Sequence, residues 1–145
     1  MNIEDQVVSH VLSKKLKELG VKQSSLFYWT IGGTVYRGDM TFYLPENYSA
    51  FTVAEIGDML PKAIQVKTEE EEKKIFSNFR LVTGRSLIID EDKPYEFWSV
   101  NYICDTTNEF RNWLFDTLLT KAIYDRNEAN CRAKMLIHLI ENGLK

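Results

Sequence analysis

Cysteine and histidine are scarce in this sequence of 145 residues, which contains two of each. Cys104 and Cys131 are too few for a disulfide framework and do not form a C-x-x-C pair. A zinc site would need both cysteines together with His10 and His138, yet roughly 10 Å of helix axis would separate Cys131 from His138. We therefore predict reduced thiols and no metal site.

Sequence patterns of known catalytic and cofactor sites are also missing. Gly32-Gly33 precede a strand pattern rather than a helix, so they do not form a phosphate-binding loop. Neither a nucleophile elbow nor a His-Glu-x-x-His motif occurs. The acidic residues 90 to 92 lie in a predicted turn, where Asp is favoured for backbone reasons. We predict no catalytic residue and no cofactor, and we favour a non-enzymatic role.

Long apolar segments and a strong excess of one charge are absent as well. The first residues do not combine a basic segment with an apolar one, and no apolar run approaches membrane-spanning length. These features predict a cytoplasmic protein without a membrane partner. The net charge of -3 also provides no overall attraction to nucleic acid, although a local basic patch is compatible with it.

The size and composition are those of a single globular domain that spans residues 1 to 145. Hydrophobic residues make up 44% of the chain and charged residues 27%, which is far from the composition of disordered proteins. We expect the chain to bury a core large enough to fold without disulfides or metal.

Helix signals mark the two ends of the chain. Residues 9 to 19 place Leu12, Leu16 and Leu19 on one face, and Gly20 follows in the position that tolerates a left-handed backbone. Residues 127 to 144 carry a wider apolar face and end with Gly143 in the equivalent position. We predict a helix for each segment.

A third, shorter helix is predicted by the capping box Thr52-Val53-Ala54-Glu55. The Thr52 hydroxyl can accept from the amide of Glu55, whose carboxylate can reach back to the amide of Thr52. Pro61 should end this helix after about two turns, because its ring disfavours helix in the preceding residue.

Strand patterns fill most of the remaining sequence between residues 26 and 104. The predicted strands cover residues 26–31, 34–37, 40–44, 63–66, 79–82, 86–89 and 95–104, with turns at 32–33, 38–39, 83–85 and 90–94. The charge run at residues 69 to 74 is predicted to be a loop or a frayed helix. The fold class is therefore α+β, with an antiparallel sheet of about five strands packed against the N-terminal and C-terminal helices.

Two stretches are open to more than one interpretation. Residues 110–123 fit a helix opened by a capping box at Thr106, but they also suit a strand, and helix is the favoured assignment. The adjacent aromatics Phe27-Tyr28-Trp29 suit either a base-stacking surface or a core strand. Only Arg37 is basic between residues 24 and 39, so we expect core packing.

Two candidate sites follow from the helices. The first helix carries His10, Lys14 and Lys17 on its polar face, and with Lys22 they would form a basic surface for nucleic acid. A solvated helix face explains the same residues. Cys131 lies near the start of the last helix beside two basic residues, which would lower the pKa of a surface thiol and make it reactive. An inert thiol is the simpler interpretation.

Three sequence blocks resemble small proteins encoded by prophages and mobile elements of gut Bacteroidetes. They are LKELGVKQSSLFYW at residues 16–29, FTVAEIGDMLP at 51–61 and the terminal segment at 127–144, together about two-fifths of the chain. The proteins that they resemble have no assigned activity. The resemblance implies a bacterial cytoplasmic protein of phage-linked origin, without site residues to carry over.

The function that we predict is a non-enzymatic accessory protein that acts through a protein surface. The aromatic content of 12% suggests a homodimer, because aromatic residues are enriched at interfaces, although a buried core accounts for them as well. The alternatives are a nucleic-acid-binding accessory protein that uses the first helix and a small enzyme that uses Cys131.

Overall fold

The computed structural model describes residues 2–38, 45–70, 73–90, 93–104 and 123–144, with side chains for all but 65–70, 73–80, 88–90, 93–95 and 103–104. Within these ranges the chain forms three α-helices, a short 3-10 helix at Ile3–Asp5 and seven strands. The helices are α1 (His10–Glu18), α2 (Val53–Met59) and α3 (Glu128–Glu141). The strands are β1 (Phe27–Trp29), β2 (Val35–Arg37), β3 (Tyr48–Ser49), β4 (Ala63–Glu70), β5 (Lys73–Asp90), β6 (Lys93–Cys104) and β7 (Ile123–Asp125).

The predicted α+β class is confirmed. The strands form two antiparallel sheets, whereas a single sheet was predicted. The smaller sheet has the order β2-β1-β3 and the larger one the order β4-β5-β6-β7. The larger sheet is built along β5, whose 18 residues are its longest strand. β4 pairs with the first part of β5 up to Arg80, and β6 pairs with the second part from Phe79 onwards. β5 and β6 thus extend beyond β4 as a two-stranded ribbon.

The predicted ends of the first and last helices are confirmed in detail. At the end of α1, Val21 N–H donates to Leu16 O at 3.0 Å, and Gly20 has a φ of 81°. At the end of α3, Leu144 N–H donates to Leu139 O at 2.8 Å, and Gly143 has a φ of 65°. Both are Schellman motifs, in which the left-handed glycine allows the chain to close over the last carbonyls.

Most of the buried side chains come from α3 and the elements around it. The core cluster includes Phe51, Ile56, Val100 and Tyr102, and α3 contributes seven buried residues. Two of these seven are alanines, whose small side chains allow close packing. Val100 and Tyr102 lie on one face of β6 and are both fully buried. The Tyr102 hydroxyl donates to Pro61 O at 2.6 Å, which satisfies its one buried polar group.

The aromatics of β1 pack inside the protein, as predicted. Tyr28 and Trp29 are both buried although they point to opposite sides of the strand. Trp29 packs with Val7 and Ala50 in a second apolar cluster, and its indole N–H donates to Val8 O at 2.7 Å. A base-stacking surface is therefore excluded for these two rings.

Four predictions for the strand region and the segment after it need comment. The turn predicted at Thr83-Gly84-Arg85 is wrong, because these residues continue β5 in regular register, with Gly84 opposite Ser99. Residues 69–74 were predicted to be a loop or a frayed helix, and this is wrong for 69–70 and 73–74. Those residues belong to β4 and β5, where Glu70 lies opposite Lys73. The strand predicted at 40–44 and the helix-or-strand alternative at 110–123 lie outside the described residues, apart from Ile123, which begins β7.

Candidate functional site

An open cleft of about 440 Å³ lies where five segments of the chain meet. It is bordered by the 3-10 helix, the start of β1, the first turns of α2 and α3, and β6. Five apolar side chains line it: Ile3, Phe27, Val53, Ala54 and Trp98. This volume lies within the range of small-molecule and peptide side-chain pockets, and the other six lining residues are polar or charged.

The wall formed by α2 is fixed by the carboxylate of Glu55. It accepts hydrogen bonds from Thr52 N–H at 2.7 Å, Thr52 Oγ1 at 2.8 Å and Ser25 Oγ at 3.0 Å. Its second oxygen accepts from Leu26 N–H at 3.0 Å. The predicted capping box is present, because Glu55 N–H also donates to Thr52 Oγ1 at 3.3 Å. Glu55 therefore caps α2 and at the same time ties it to the chain entering β1.

The opposite wall is fixed by the asparagines at the start of α3. Asn127 Oδ1 accepts from Asn130 N–H at 3.1 Å, which caps the helix. Its amide Nδ2 donates to Asp5 O at 2.8 Å, and Asn130 Oδ1 accepts from Ser9 N–H at 2.8 Å. These bonds hold the N-terminal segment against α3 across about 120 residues of sequence.

A close contact between α2 and α3 lies behind the cleft. Arg132 donates to Glu128 Oε1 through Nε at 3.0 Å and through Nη2 at 2.6 Å. The guanidinium packs against Gly57, where an added Cβ would lie 2.6 Å from Arg132 Nη1. Glycine at position 57 therefore lets the ion pair lie directly on the α2 backbone.

The charges along the cleft are mixed. Asp5, Arg126 and Glu128 are the charged residues among its lining, and Glu128 is neutralised by its ion pair with Arg132. The Thr52 hydroxyl is engaged in the capping box, so it is not presented as a nucleophile. The five apolar side chains and the nearly balanced charges around them suit the cleft to bind an apolar group.

None of the four residues predicted as a basic surface lines this cleft, and their surroundings differ. Lys17 Nζ donates to the carbonyls of Pro45 and Asn47, the latter at 3.0 Å, and lies 5.2 Å from the centre of the Tyr48 ring. Its charge is thereby used to hold the chain before β3. Lys14 and Lys22 are exposed.

His10 is half-buried between two aromatic side chains. Its ring centre lies 5.8 Å from that of Trp29 and 5.2 Å from that of Tyr48, both edge-on. Its Nε2 atom is buried without a hydrogen-bond partner among the described residues. His10 therefore packs as part of the fold, and nucleic-acid binding by His10, Lys14, Lys17 and Lys22 stays a prediction.

The prediction that Cys131 lies on the polar face of the last helix is wrong. The side chain is fully buried, and its Sγ donates to Ile123 O at 3.0 Å and to Trp98 O at 3.3 Å. Burial, followed by the nearby charge of Asp125, raises the pKa of this thiol to about 11. A thiolate at neutral pH is disfavoured in this position, so the burial that sequence reasoning missed argues against a reactive Cys131.

The other findings concern metals, membranes and similarity to known proteins. Among the described ranges, no three His, Cys, Asp or Glu side chains gather in a way that would hold a metal ion. In the same part of the chain, no helix has the length and apolar character needed to cross a membrane. No family model matches the sequence, and neither a curated protein nor a solved structure matches it.

Sequence reasoning did not find the cleft, because its lining residues come from five separate segments. One signal was available: the capping box at Thr52 and the apolar pattern from residue 127 located the starts of two helices that both border the cleft. Their proximity depends on tertiary packing, which local patterns do not encode.

Proposed function

We propose that the protein is a non-enzymatic protein-interaction module of a phage or mobile element, and that it acts in the bacterial cytoplasm. Its cleft would receive an apolar side chain of a partner protein. The observation that carries this proposal is the cleft itself, whose apolar lining includes Phe27 and Trp98 and whose rim has nearly balanced charge. Aromatic side chains in a concave surface are the usual anchoring points of protein interfaces.

The hydrogen bonds around the cleft support the same function. Glu55 and Asn127 each connect a helix start to a distant part of the chain, so that the walls are held in place before a partner binds. A preformed site loses less conformational entropy on binding than a site that must be ordered by its partner.

Filling the cleft with a side chain of the protein itself tests this function. Ala54 is exposed in the first turn of α2 and lines the cleft, so Ala54→Phe should occupy it without disturbing the core. Val11→Phe on α1 is the matched control, because Val11 is 74% exposed and does not line the cleft. Circular dichroism and urea unfolding should show that both variants fold as the wild type does.

The assay is selection of a displayed library of random peptides on the wild-type protein, followed by calorimetric titration of the recovered peptides. We expect to recover peptides with a large apolar residue that bind the wild type and Val11→Phe with equal affinity. Their affinity for Ala54→Phe should be at least about tenfold lower, because excluding an apolar anchor removes roughly 1.4 kcal/mol or more of binding free energy. Equal affinity for all three proteins, or a selection that recovers no peptide above background, would contradict the proposal.

The same variants also test whether the partner is a second copy of this chain. If a homodimer uses the cleft, sedimentation equilibrium will show a dimer for the wild type and Val11→Phe, and a monomer for Ala54→Phe. A wild-type monomer would leave a different protein as the partner, and the peptide sequences would then define its binding segment.

A further inference from the structure

One wall of the cleft is attached to the rest of the protein by few contacts. This wall is the 3-10 helix at Ile3–Asp5, which contains no buried residue. Among the described residues, a single hydrogen bond joins residues 2–5 to another element, the bond from Asn127 Nδ2 to Asp5 O at 2.8 Å. The backbone bonds at Asp5 N–H and Gln6 N–H are made within the turn itself.

The chain is held much more firmly from Val7 onwards. Val7 and Val8 are fully buried, and Val8 N–H donates to Phe51 O at 2.8 Å. Gln6 is exposed and lies between the firmly and the loosely attached residues. Segments with few buried contacts and exposed hydrogen bonds open at a lower free energy than the core does. Residues 2–5 should therefore open locally, with Gln6 as the hinge.

Opening of residues 2–5 would leave the other walls of the cleft in place. Asn127 Nδ2 also lies 3.4 Å from Val7 O, so this amide keeps an acceptor on the buried side of the hinge. The helix cap made by Asn127 Oδ1 with Asn130 N–H does not involve residues 2–5. The bonds of Glu55 that hold the α2 wall do not involve them either.

Ile3 connects the movable wall to the contents of the cleft. It is the only apolar residue among residues 2–5, it is half-buried, and it lines the cleft. Part of its surface packs against the apolar cluster of Val7 and Trp29. An apolar group in the cleft would cover more of this side chain, and burial of apolar surface stabilises the state in which it occurs. Such a group would shift the equilibrium towards the closed wall.

We propose that residues 2–5 form a flap that opens transiently in the free protein and closes, through Ile3, on the apolar side chain of the partner. This inference rests on the proposed function of the cleft and adds a conformational step to it. In the free protein the closed state is favoured by roughly 10–100-fold, as expected from one hydrogen bond and one half-buried isoleucine. Binding of the partner raises this ratio and orders the flap.

Amide hydrogen exchange followed by NMR measures the opening in the free protein. The Asp5 and Gln6 amides should be protected by at most about 100-fold relative to an unfolded chain. The Val8 amide should be protected at least about tenfold more strongly, because its release requires opening of the buried core. Equal protection of these three amides would show that the flap does not open separately, and would overturn the inference.

The Ala54→Phe variant tests closure without a partner, because it places an apolar ring in the cleft that Ile3 also lines. Its Asp5 amide should be protected about threefold more than in the wild type, as burial of about 30 Å² of further apolar surface predicts. Val11→Phe should cause no change. Adding Ile3→Ser to Ala54→Phe should remove the gain, whereas adding Glu4→Ser, on the same 3-10 helix but outside the cleft lining, should preserve it.

Peptides that bind the wild-type protein test closure on a partner. At saturation they should raise the protection of the Asp5 amide by at least about threefold. Ile3→Ser should weaken their binding by about threefold or more, and Glu4→Ser should leave the affinity unchanged. Unchanged protection at Asp5 in the complex, or equal effects of the two substitutions on affinity, would overturn the inference.

The two proposals fail in different ways. If Ala54→Phe does not reduce peptide binding, the cleft is not the site, and the proposed function fails. If Ala54→Phe abolishes peptide binding while neither the peptide nor the new ring protects the Asp5 amide, the partner binds to a fixed cleft and only the flap is wrong.

Discussion

Replacing Glu55 should destabilise the protein more than the loss of an ordinary helix cap, because its carboxylate serves two elements. Glu55→Ala leaves the N-cap bond to Thr52 Oγ1 in place but removes the reciprocal half of the capping box, the two bonds from Thr52 to the carboxylate, which we expect to contribute about 0.5–2 kcal/mol. It also removes the bonds from Ser25 Oγ and Leu26 N–H. Leu26 is exposed, so its amide can bind water, and the Ser25 hydroxyl retains Ala50 O at 3.2 Å as an acceptor. We therefore add only about 1 kcal/mol for these two bonds.

The expected total is a loss of about 1.5–3 kcal/mol in the free energy of unfolding, measured by urea titration with far-UV circular dichroism. Glu55→Gln should lose only about half as much, because glutamine can complete a capping box but presents an NH₂ group to the Leu26 amide. Glu18→Ala, an exposed position at the end of α1, should change stability by less than about 0.5 kcal/mol. If Glu55→Ala is no more destabilising than Glu18→Ala, the carboxylate does not hold α2 to β1, and the reasoning is refuted.

Three further predictions concern the buried residues Trp29 and Cys131 and the contact between α2 and α3. Trp29→Phe should lower the free energy of unfolding in urea by about 1–3 kcal/mol, because it removes the hydrogen bond to Val8 O at 2.7 Å and leaves a void beside it. An unchanged free energy of unfolding would contradict this prediction. Cys131 keeps its proton in the folded protein up to a pKa of about 11, whereas the unfolded thiol loses it near 9.0, so the free energy of unfolding should fall between these pH values by at most about 1.4 kcal/mol per unit. Cys131→Ser should show a flatter dependence, and parallel curves would exclude this linkage. Gly57→Ala should stabilise an Arg132→Ala variant by about 0.5–1 kcal/mol, because alanine has the higher helix propensity. In the wild type the new methyl group displaces the Arg132 guanidinium, so this gain should be absent. Equal effects on the free energy of unfolding in both backgrounds would show that the contact is unimportant.

The parts of this fold that were predictable from sequence are those determined by neighbouring residues. The glycines after α1 and α3 and the capping box at Thr52 act within one turn of helix, and each was located correctly. Gly84 shows the limit of such signals. Its turn propensity was overridden because β6 pairs with β5 on both sides of it, and a regular ladder satisfies more backbone groups than an isolated turn would.

Cys131 illustrates a second limit. Its neighbours Arg132 and Lys134 are charged, which suggested a polar helix face, but each of them is partnered by an acidic residue while the cysteine is buried. The burial depends on β6 and β7, whose carbonyls at Trp98 and Ile123 accept the thiol. A helix that is covered on more than one side does not follow the simple alternation of polar and apolar faces.

The position of the cleft follows from the capping interactions at the starts of α2 and α3. An α-helix leaves its first amides without intrahelical partners, so its N-cap must provide side-chain acceptors. In α2 and α3 these capping residues have a second use, since Glu55 also binds Leu26 and Asn127 also binds Asp5. Each helix start is thereby fixed to a distant segment, and the space left between the two junctions is the cleft. The residues that cap these two helix starts in the structure are thus the same residues that fix the walls of the candidate binding site.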